Sequence, residues 1–304
     1  MCDTCAAHAH EHTHGDEHHS HGLPSNARGD DFRVVVTGKG GVGKTTLTAL
    51  LARRLSRRGY RVLALDADPQ MNLPYALGLE SADAHGLVPL SENTDYVEEK
   101  TGVRPGEGWG LFFRLNPDVD DVVDRFGVRG PDGVRLLVMG NTVQPAAGCL
   151  CPENALLASV TNAMSLRHDE AILMDTQAGF EHFGRALAKG FRHAVVVSDP
   201  TFNGLQVALR AARLARELGI ESIHLVVNRA RNKLDFDRSL ARLDEEGEFP
   251  FTSRHWLPVD PLLPKIEPSV SPLFARPPTP FDQRLDGLLD TLLPIEELVR
   301  ECVS

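Results

Sequence analysis

The chain has 304 residues, 42% of them hydrophobic and 24% charged, with 42 acidic against 32 basic side chains and a formal net charge of -10. This is enough for one large α/β domain or two modest ones with a real core, and no run reaches the roughly 18 apolar residues that a spanning helix needs. The acidic balance also lacks the basic field by which nucleic-acid binders neutralise phosphates, so neither nucleic acid nor membrane is an expected partner.

Residues 1–30 differ in kind from the rest and read as a metal-binding tail and linker, with the ordered unit at 31–304. The stretch MCDTCAAHAHEHTHGDEHHSHG has almost no large apolar side chain with which to offset the entropy of ordering. Seven of the 13 histidines lie in it (His8, His10, His12, His14, His18, His19 and His21) beside Cys2 and Cys5. Imidazole suits Ni²⁺, Zn²⁺ and Cu²⁺, and histidine tracts are compositional evidence for metal binding. The start has no apolar h-region of a secretory signal, so the cytoplasm is the expected location.

Next comes FRVVVT (32–37), a short β-branched run, and at once Gly38-Lys39-Gly40-Gly41-Val42-Gly43-Lys44-Thr45-Thr46. This fits G-x-x-x-x-G-K-[ST] between a predicted strand and a predicted helix, which is the context a phosphate loop requires. Its glycines let backbone N–H groups form a nest for phosphate oxygens, and the helix N-terminus adds its positive end. Lys44 is expected on the β- and γ-phosphates and Thr45 on Mg²⁺. The helix that follows carries Leu47, Leu50, Leu51 and Leu55 on one face, and near its end Arg53, Arg54, Arg57 and Arg58 read as solvated cations favoured by the helix dipole.

RVLALD (61–66) is a second strand, and Asp66-Ala67-Asp68-Pro69 closes it with two carboxylates. Residues 76–134 are rich in Gly, Pro and Asp and read as an elaboration of the same domain. After the strand RLLVM (135–139) comes Gly148-Cys149-Leu150-Cys151-Pro152, just before a predicted helix at 153–166. A disulfide at this spacing would be strained, and an odd total of five cysteines argues against a disulfide framework. Two thiolates make half of a tetrahedral Zn²⁺ site or a square Ni²⁺ one, and the same motif on a second subunit can supply the other half across a two-fold axis.

AILMD (171–175) ends in Asp175-Thr176-Gln177-Ala178-Gly179, a second acidic turn behind the phosphate loop. AVVVS (194–198), a helical stretch at 203–217 and IHLVVN (223–228) follow. Near-continuous apolar strands alternating with helices imply an α/β doubly wound, mostly parallel sheet, with ligand at the carboxyl ends of its strands. Asn232-Lys233-Leu234-Asp235 has the form of a guanine motif but starts four residues beyond its strand, so adenine is favoured. The leucines at 285, 288, 289, 292 and 293 form a helical stripe suited to packing on the sheet.

GKGGVGKTT resembles the deviant Walker A motif of the MinD/ParA/nitrogenase-iron-protein group of dimeric P-loop ATPases. The resemblance implies an ATP-sandwich homodimer in which Lys39 reaches the partner's phosphates, Asp68 at switch I holds or activates the attacking water with Asp66 nearby, and Asp175 orients the Mg²⁺ shell. It also places the Gly179 N–H on the γ-phosphate and the adenine contact on Asn228. LNPDVDD (115–121), LLVMGNTVQPAAGCLCPENALL (136–157) and MDTQAGFEHFGR (174–185) narrow it to the nickel-insertion ATPases that mature carbon monoxide dehydrogenase, over about Phe32 to Asn228. That family implies one Ni or Zn ion between the Cys149/Cys151 pairs of two subunits and carbon monoxide dehydrogenase as client; Gln177 stands where it usually has Glu. The opening Met-Cys-Asp-Thr-Cys and its histidines resemble the tail of hydrogenase nickel-insertion GTPases. Alternatives are an ATP-dependent iron–sulfur carrier or reductase, and a MinD-like positioning ATPase. The acidic residues Asp286, Asp290, Glu296, Glu297 and Glu301 near the C-terminus disfavour the latter, because acidic faces bind anionic lipid poorly.

Overall fold

The run FRVVVTG becomes β1 (Phe32–Gly38), every residue of which is buried, because it lies at the middle of the sheet with parallel neighbours on both sides. The computed structural model describes residues 32–104, 114, 116–140, 151–163, 169–178, 190–244 and 251–293. After β1 come α1 (Lys44–Arg57), β2 (Arg61–Ala67), α2 (Leu73–Leu77), α3 (Ser81–His85), α4 (Thr94–Thr101), α5 (Val122–Phe126), β3 (Val128–Arg129), β4 (Arg135–Val138), α6 (Cys151–Ala163) and β5 (Glu170–Thr176). The remainder is β6 (His193–Ser198), α7 (Phe202–Glu217), β7 (Ser222–Ala230), α8 (Lys233–Asp244), β8 (Ser253–Pro258), α9 (Leu263–Ile266) and α10 (Pro280–Leu292).

The described strands form one sheet in the order β3-β4-β2-β5-β1-β6-β7-β8, parallel except for β3 against β4. Strand order reverses around β1, so its carboxyl end is the topological switch point where such sheets bind ligands. Side chains alternate between two cores, as period-two geometry demands: Val34 and Val36 pack with α1, α2 and α10, and Val35 with residues of α4, α6, α7 and α8. The C-terminal leucine stripe becomes α10, opened by a Thr279/Asp282 capping box with Pro280 in the first turn, and it buries Leu285, Leu288, Leu289 and Leu292.

The arginines of α1 are not the solvated cluster their position suggests. Arg53 is 4% exposed and donates to Asp132 at 2.6 Å, to the Leu77 carbonyl and to Ser271, while stacking 4.3 Å from the Phe274 ring centroid. Arg54 and Arg58 pair with Asp282, Asp286 and Asp290. The reason is tertiary: α10 and the Asp132 turn set carboxylates against α1, which no helix-end rule anticipates.

At the amino ends of β6, β7 and β8, three imidazoles join in one hydrogen-bonded chain. His193 Nδ1 lies 3.1 Å from His224 Nε2, His224 Nδ1 is 2.7 Å from Ser253 Oγ, and Ser253 Oγ is 2.8 Å from His255 Nε2. Burial pushes His193 down to about 4 and His224 to about 3. Unfolding therefore takes up protons below the ordinary histidine value of 6.5, so the stability these rings contribute is complete above that pH and declines as pH falls towards 4. Asp66 and Asp175, raised by burial, act in the opposite sense over an overlapping range. The check is accordingly a difference: urea unfolding of wild type and His224→Gln between pH 7 and 4, where the variant should lose less stability on acidification by on the order of 2 kcal/mol. Parallel pH profiles would contradict it.

Candidate nucleotide site

The phosphate loop spans the gap between β1 and α1, and its glycines answer to specific neighbours. Gly38 has φ 141° and lies so close to β6 that a Cβ would sit 2.0 Å from the Val197 carbonyl oxygen. Gly43 has φ 95° and would drive a Cβ to 2.7 Å from Asn228 Nδ2. Lys44 opens α1 as a residue only 7% exposed, and its Nζ donates to the Lys39 carbonyl at 3.2 Å. Burial lowers its pKa, and the charges of Asp175 and Asp68 oppose that shift. Lys39 is 37% exposed, and its Nζ lies 3.8 Å from Asp199 at the end of β6. Asp199 escaped the sequence reading, although a Ser-Asp-Pro turn closing an apolar strand beside a phosphate loop was available as a signal.

Asp66 and Asp175 are register partners on β2 and β5, and both are fully buried. Burial, then the charge of Asp175, pushes Asp66 up to about 8. Asp175 rises to about 7, chiefly through burial, against lowering by a hydrogen bond from Thr45 and by the charge of Lys44. Asp66 accepts from the Asp68 and Leu73 amides at 3.0 Å each, which makes it the anchor of the switch turn. Asp68 is half-exposed and accepts from the Gln70 amide at 2.9 Å. Asp175 Oδ2 is buried without a hydrogen-bond partner, while Oδ1 accepts from Thr48 at 3.4 Å. Oxygen donors from Thr45 and Asp175, with an orphaned carboxylate oxygen and two carboxyls that burial disfavours as anions, fit a hard divalent cation such as Mg²⁺. Ala178 Cβ lies 3.8 Å from the position a Gly40 Cβ would take. Gly179 lies outside the described residues.

Asn228 sits against the phosphate loop, its Nδ2 donating to the Val42 carbonyl at 2.7 Å. Beside it a cavity of about 220 Å³ is lined by Gly43, Thr46, Asn228 and Arg229 on one side and by Pro258, Asp260, Ile266 and Val270 on the other. The second wall, the loop after β8, was not legible in the sequence. The Asn-Lys-x-Asp stretch does not line this cavity. Asn232 caps α8 by accepting from the Asp235 amide at 3.0 Å, and Asp235 is held by Arg231 at 2.7 Å.

Cys151 is the first residue of α6, a helix fixed by the buried Leu156, Leu157 and Val160 and by Arg33, which donates to the Thr161 carbonyl at 2.7 Å. Cys149, Cys2, Cys5 and the seven tail histidines lie outside the described residues. Among the described residues there is no group of three or more metal-ligating side chains.

Residues 33–266 match the family described as the CobQ/CobB/MinD/ParA nucleotide binding domain. The carbon monoxide dehydrogenase accessory protein CooC of Rhodospirillum rubrum is 40% identical over 225 residues, covering 73% of this chain and 84% of that protein. An ATP-binding protein of Methanocaldococcus jannaschii is 38% identical over 202 residues, 66% of this chain and 76% of its own length. In fold, the chain is similar to the septum site-determining protein MinD of Pyrococcus horikoshii, solved as a complex with Mg-ADP, with a TM-score of 0.60, 21% identity, and 86% and 96% of the two chains covered.

Proposed function

The chain belongs to the CobQ/CobB/MinD/ParA family as a P-loop ATPase of the CooC type, and we propose that it couples ATP hydrolysis to nickel delivery into a client metalloenzyme, carbon monoxide dehydrogenase, in the cytoplasm. The observation that carries this reading is the 40% identity to a carbon monoxide dehydrogenase accessory protein over most of both chains. The Cys149/Cys151 pair, whose second cysteine opens the anchored helix α6, and the His/Cys tail at 1–30, appended to the ATPase domain at 31–304, supply ligands for the cargo.

In this reading Lys44 binds the β- and γ-phosphates, Thr45 and Asp175 hold Mg²⁺, and the Asn228 cavity takes the adenine. When bound, Mg²⁺ supplies a charge that neutralises phosphate oxygens. Asp68, on the turn anchored by Asp66, orients the attacking water. Lys39 rests near Asp199 in one subunit and, on ATP-dependent dimerisation, reaches the partner's phosphates, where it offsets charge developing in the transition state. The dimer closes a shared site from two Cys149/Cys151 pairs, and hydrolysis loosens it. ATP drives release only if metal affinity differs between the two nucleotide states. Among the described residues no helix is long and apolar enough to cross a membrane.

The test is activation of nickel-free carbon monoxide dehydrogenase by this protein with limiting Ni²⁺. Client activity should rise with ATP and not with a non-hydrolysable analogue; equal activation without ATP hydrolysis would contradict the proposal.

A further inference from the structure

The far wall of the base cavity is tied to the phosphate-loop helix by a chain of charges. Asp260, 5% exposed, lines the cavity. Its Oδ1 accepts from the Leu262 amide at 2.9 Å and from Arg276 Nη1 at 2.9 Å, and its Oδ2 accepts from Arg276 Nη2. The same Nη2 reaches Asp282 Oδ2 at 3.1 Å. Asp282 in turn accepts the Thr279 amide at the start of α10 and pairs with Arg54 of α1, the helix whose first residues are Lys44 and Thr45. Two carboxylates and two guanidiniums thus alternate from the cavity wall to the last turn of α1, the helix that the phosphate loop opens, all at most 17% exposed.

A carboxylate this buried keeps its charge only with a close cation, and a guanidinium fork fixes its orientation where a lysine ammonium cannot. Asp260 lies two residues beyond the end of β8, so its orientation sets where the loop from Pro258 to Val270 stands relative to Asn228. In the neighbouring hollow lined by Arg54, Arg57, Arg58 and Arg276, each cation is already paired with a carboxylate.

We propose that Arg276 is a positioning residue for the nucleotide base: through Asp260 and Asp282 it holds the cavity wall in register with the phosphate loop, and so sets affinity for the base and the preference for adenine. The inference rests on the reading that this cavity receives the base. It separates base binding from phosphate binding, because inorganic tripolyphosphate engages only the phosphate loop.

The experiment measures dissociation constants of full-length wild type, Arg276→Met, Arg276→Lys and Asn228→Ala for ADP, GDP and tripolyphosphate, together with kcat and KM for ATP. Arg276→Met should weaken ADP about tenfold or more and draw the ADP-to-GDP ratio towards one. Tripolyphosphate affinity and kcat should stay within about twofold, the signature of lost uniform binding of the base. Arg276→Lys should show the same selectivity at about threefold, and it provides the reading if the Met variant does not fold. A general loosening would weaken ADP and tripolyphosphate by one factor and lower kcat, which overturns the proposal, as does unchanged ADP affinity. If Asn228→Ala leaves the ADP-to-GDP ratio intact, the base is not in this cavity and the underlying reading fails. If Asn228→Ala shifts the ratio and neither Arg276 variant does, the positioning role alone falls.

Discussion

Lys39→Ala should stop ATP hydrolysis while nucleotide still binds, with kcat reduced by about a thousandfold or more. The two lysines of the loop stand in different situations. Lys44 is buried beside Asp175 and Asp68, directed across its own loop, and its loss should remove nucleotide affinity and turnover together. Lys39 is more exposed and paired only distantly with Asp199, so it contributes little to the nucleotide held by its own chain. A group that acts only in the transition state lowers kcat and kcat/KM equally when removed. ADP titration and single-turnover hydrolysis of both variants separate the two roles. Normal turnover by Lys39→Ala would contradict action in trans.

Deleting residues 1–22 should remove most low-affinity nickel capacity and leave ATPase activity intact, whereas Cys149→Ala with Cys151→Ala should do the reverse. The two features differ in ligand chemistry. Imidazole in general protonates near pH 6.5, so the seven histidines are expected to give the tail a capacity above one ion that weakens as pH falls. Thiolates depend less on imidazole protonation, and two pairs complete one four-coordinate site. Nickel titration at pH 7.5 and pH 5.5 should show the deleted protein losing the pH-sensitive part of the isotherm and the double Cys variant keeping it. Identical isotherms for the two variants would refute the division.

The nucleotide half of the site was legible because it is local. A phosphate loop, an acidic strand end and a strand-closing Asn each lie within a few residues of a buried strand, so hydrophobic runs that mark β1, β2, β5 and β7 also place Gly38 to Thr46, Asp66, Asp175 and Asn228. What was not legible depends on contacts between distant segments. β8 is an edge strand whose residues are mostly half-buried, so SRHWLP shows no continuous apolar run, and with it the far wall of the cavity beside Asn228 was missed. β3 is two residues long and antiparallel, below any periodicity. The carboxylates that neutralise Arg53, Arg54 and Arg58 come from 79 to 232 positions away in the chain. The Asn-Lys-x-Asp stretch illustrates the converse: a motif with guanine-site form serves as a helix cap because Asn and Asp satisfy free amides in either setting.

Whether two chains share one metal in the ATP state is decided by nickel analysis combined with native mass by light scattering on protein lacking residues 1–22. The protein would be measured with ADP, with a non-hydrolysable ATP analogue, and with no nucleotide. A dimer holding one nickel per two chains is expected with the analogue, less metal and smaller mass with ADP, and loss of that metal on Cys149→Ala with Cys151→Ala. One nickel per monomer, indifferent to nucleotide and to the double cysteine change, would contradict it.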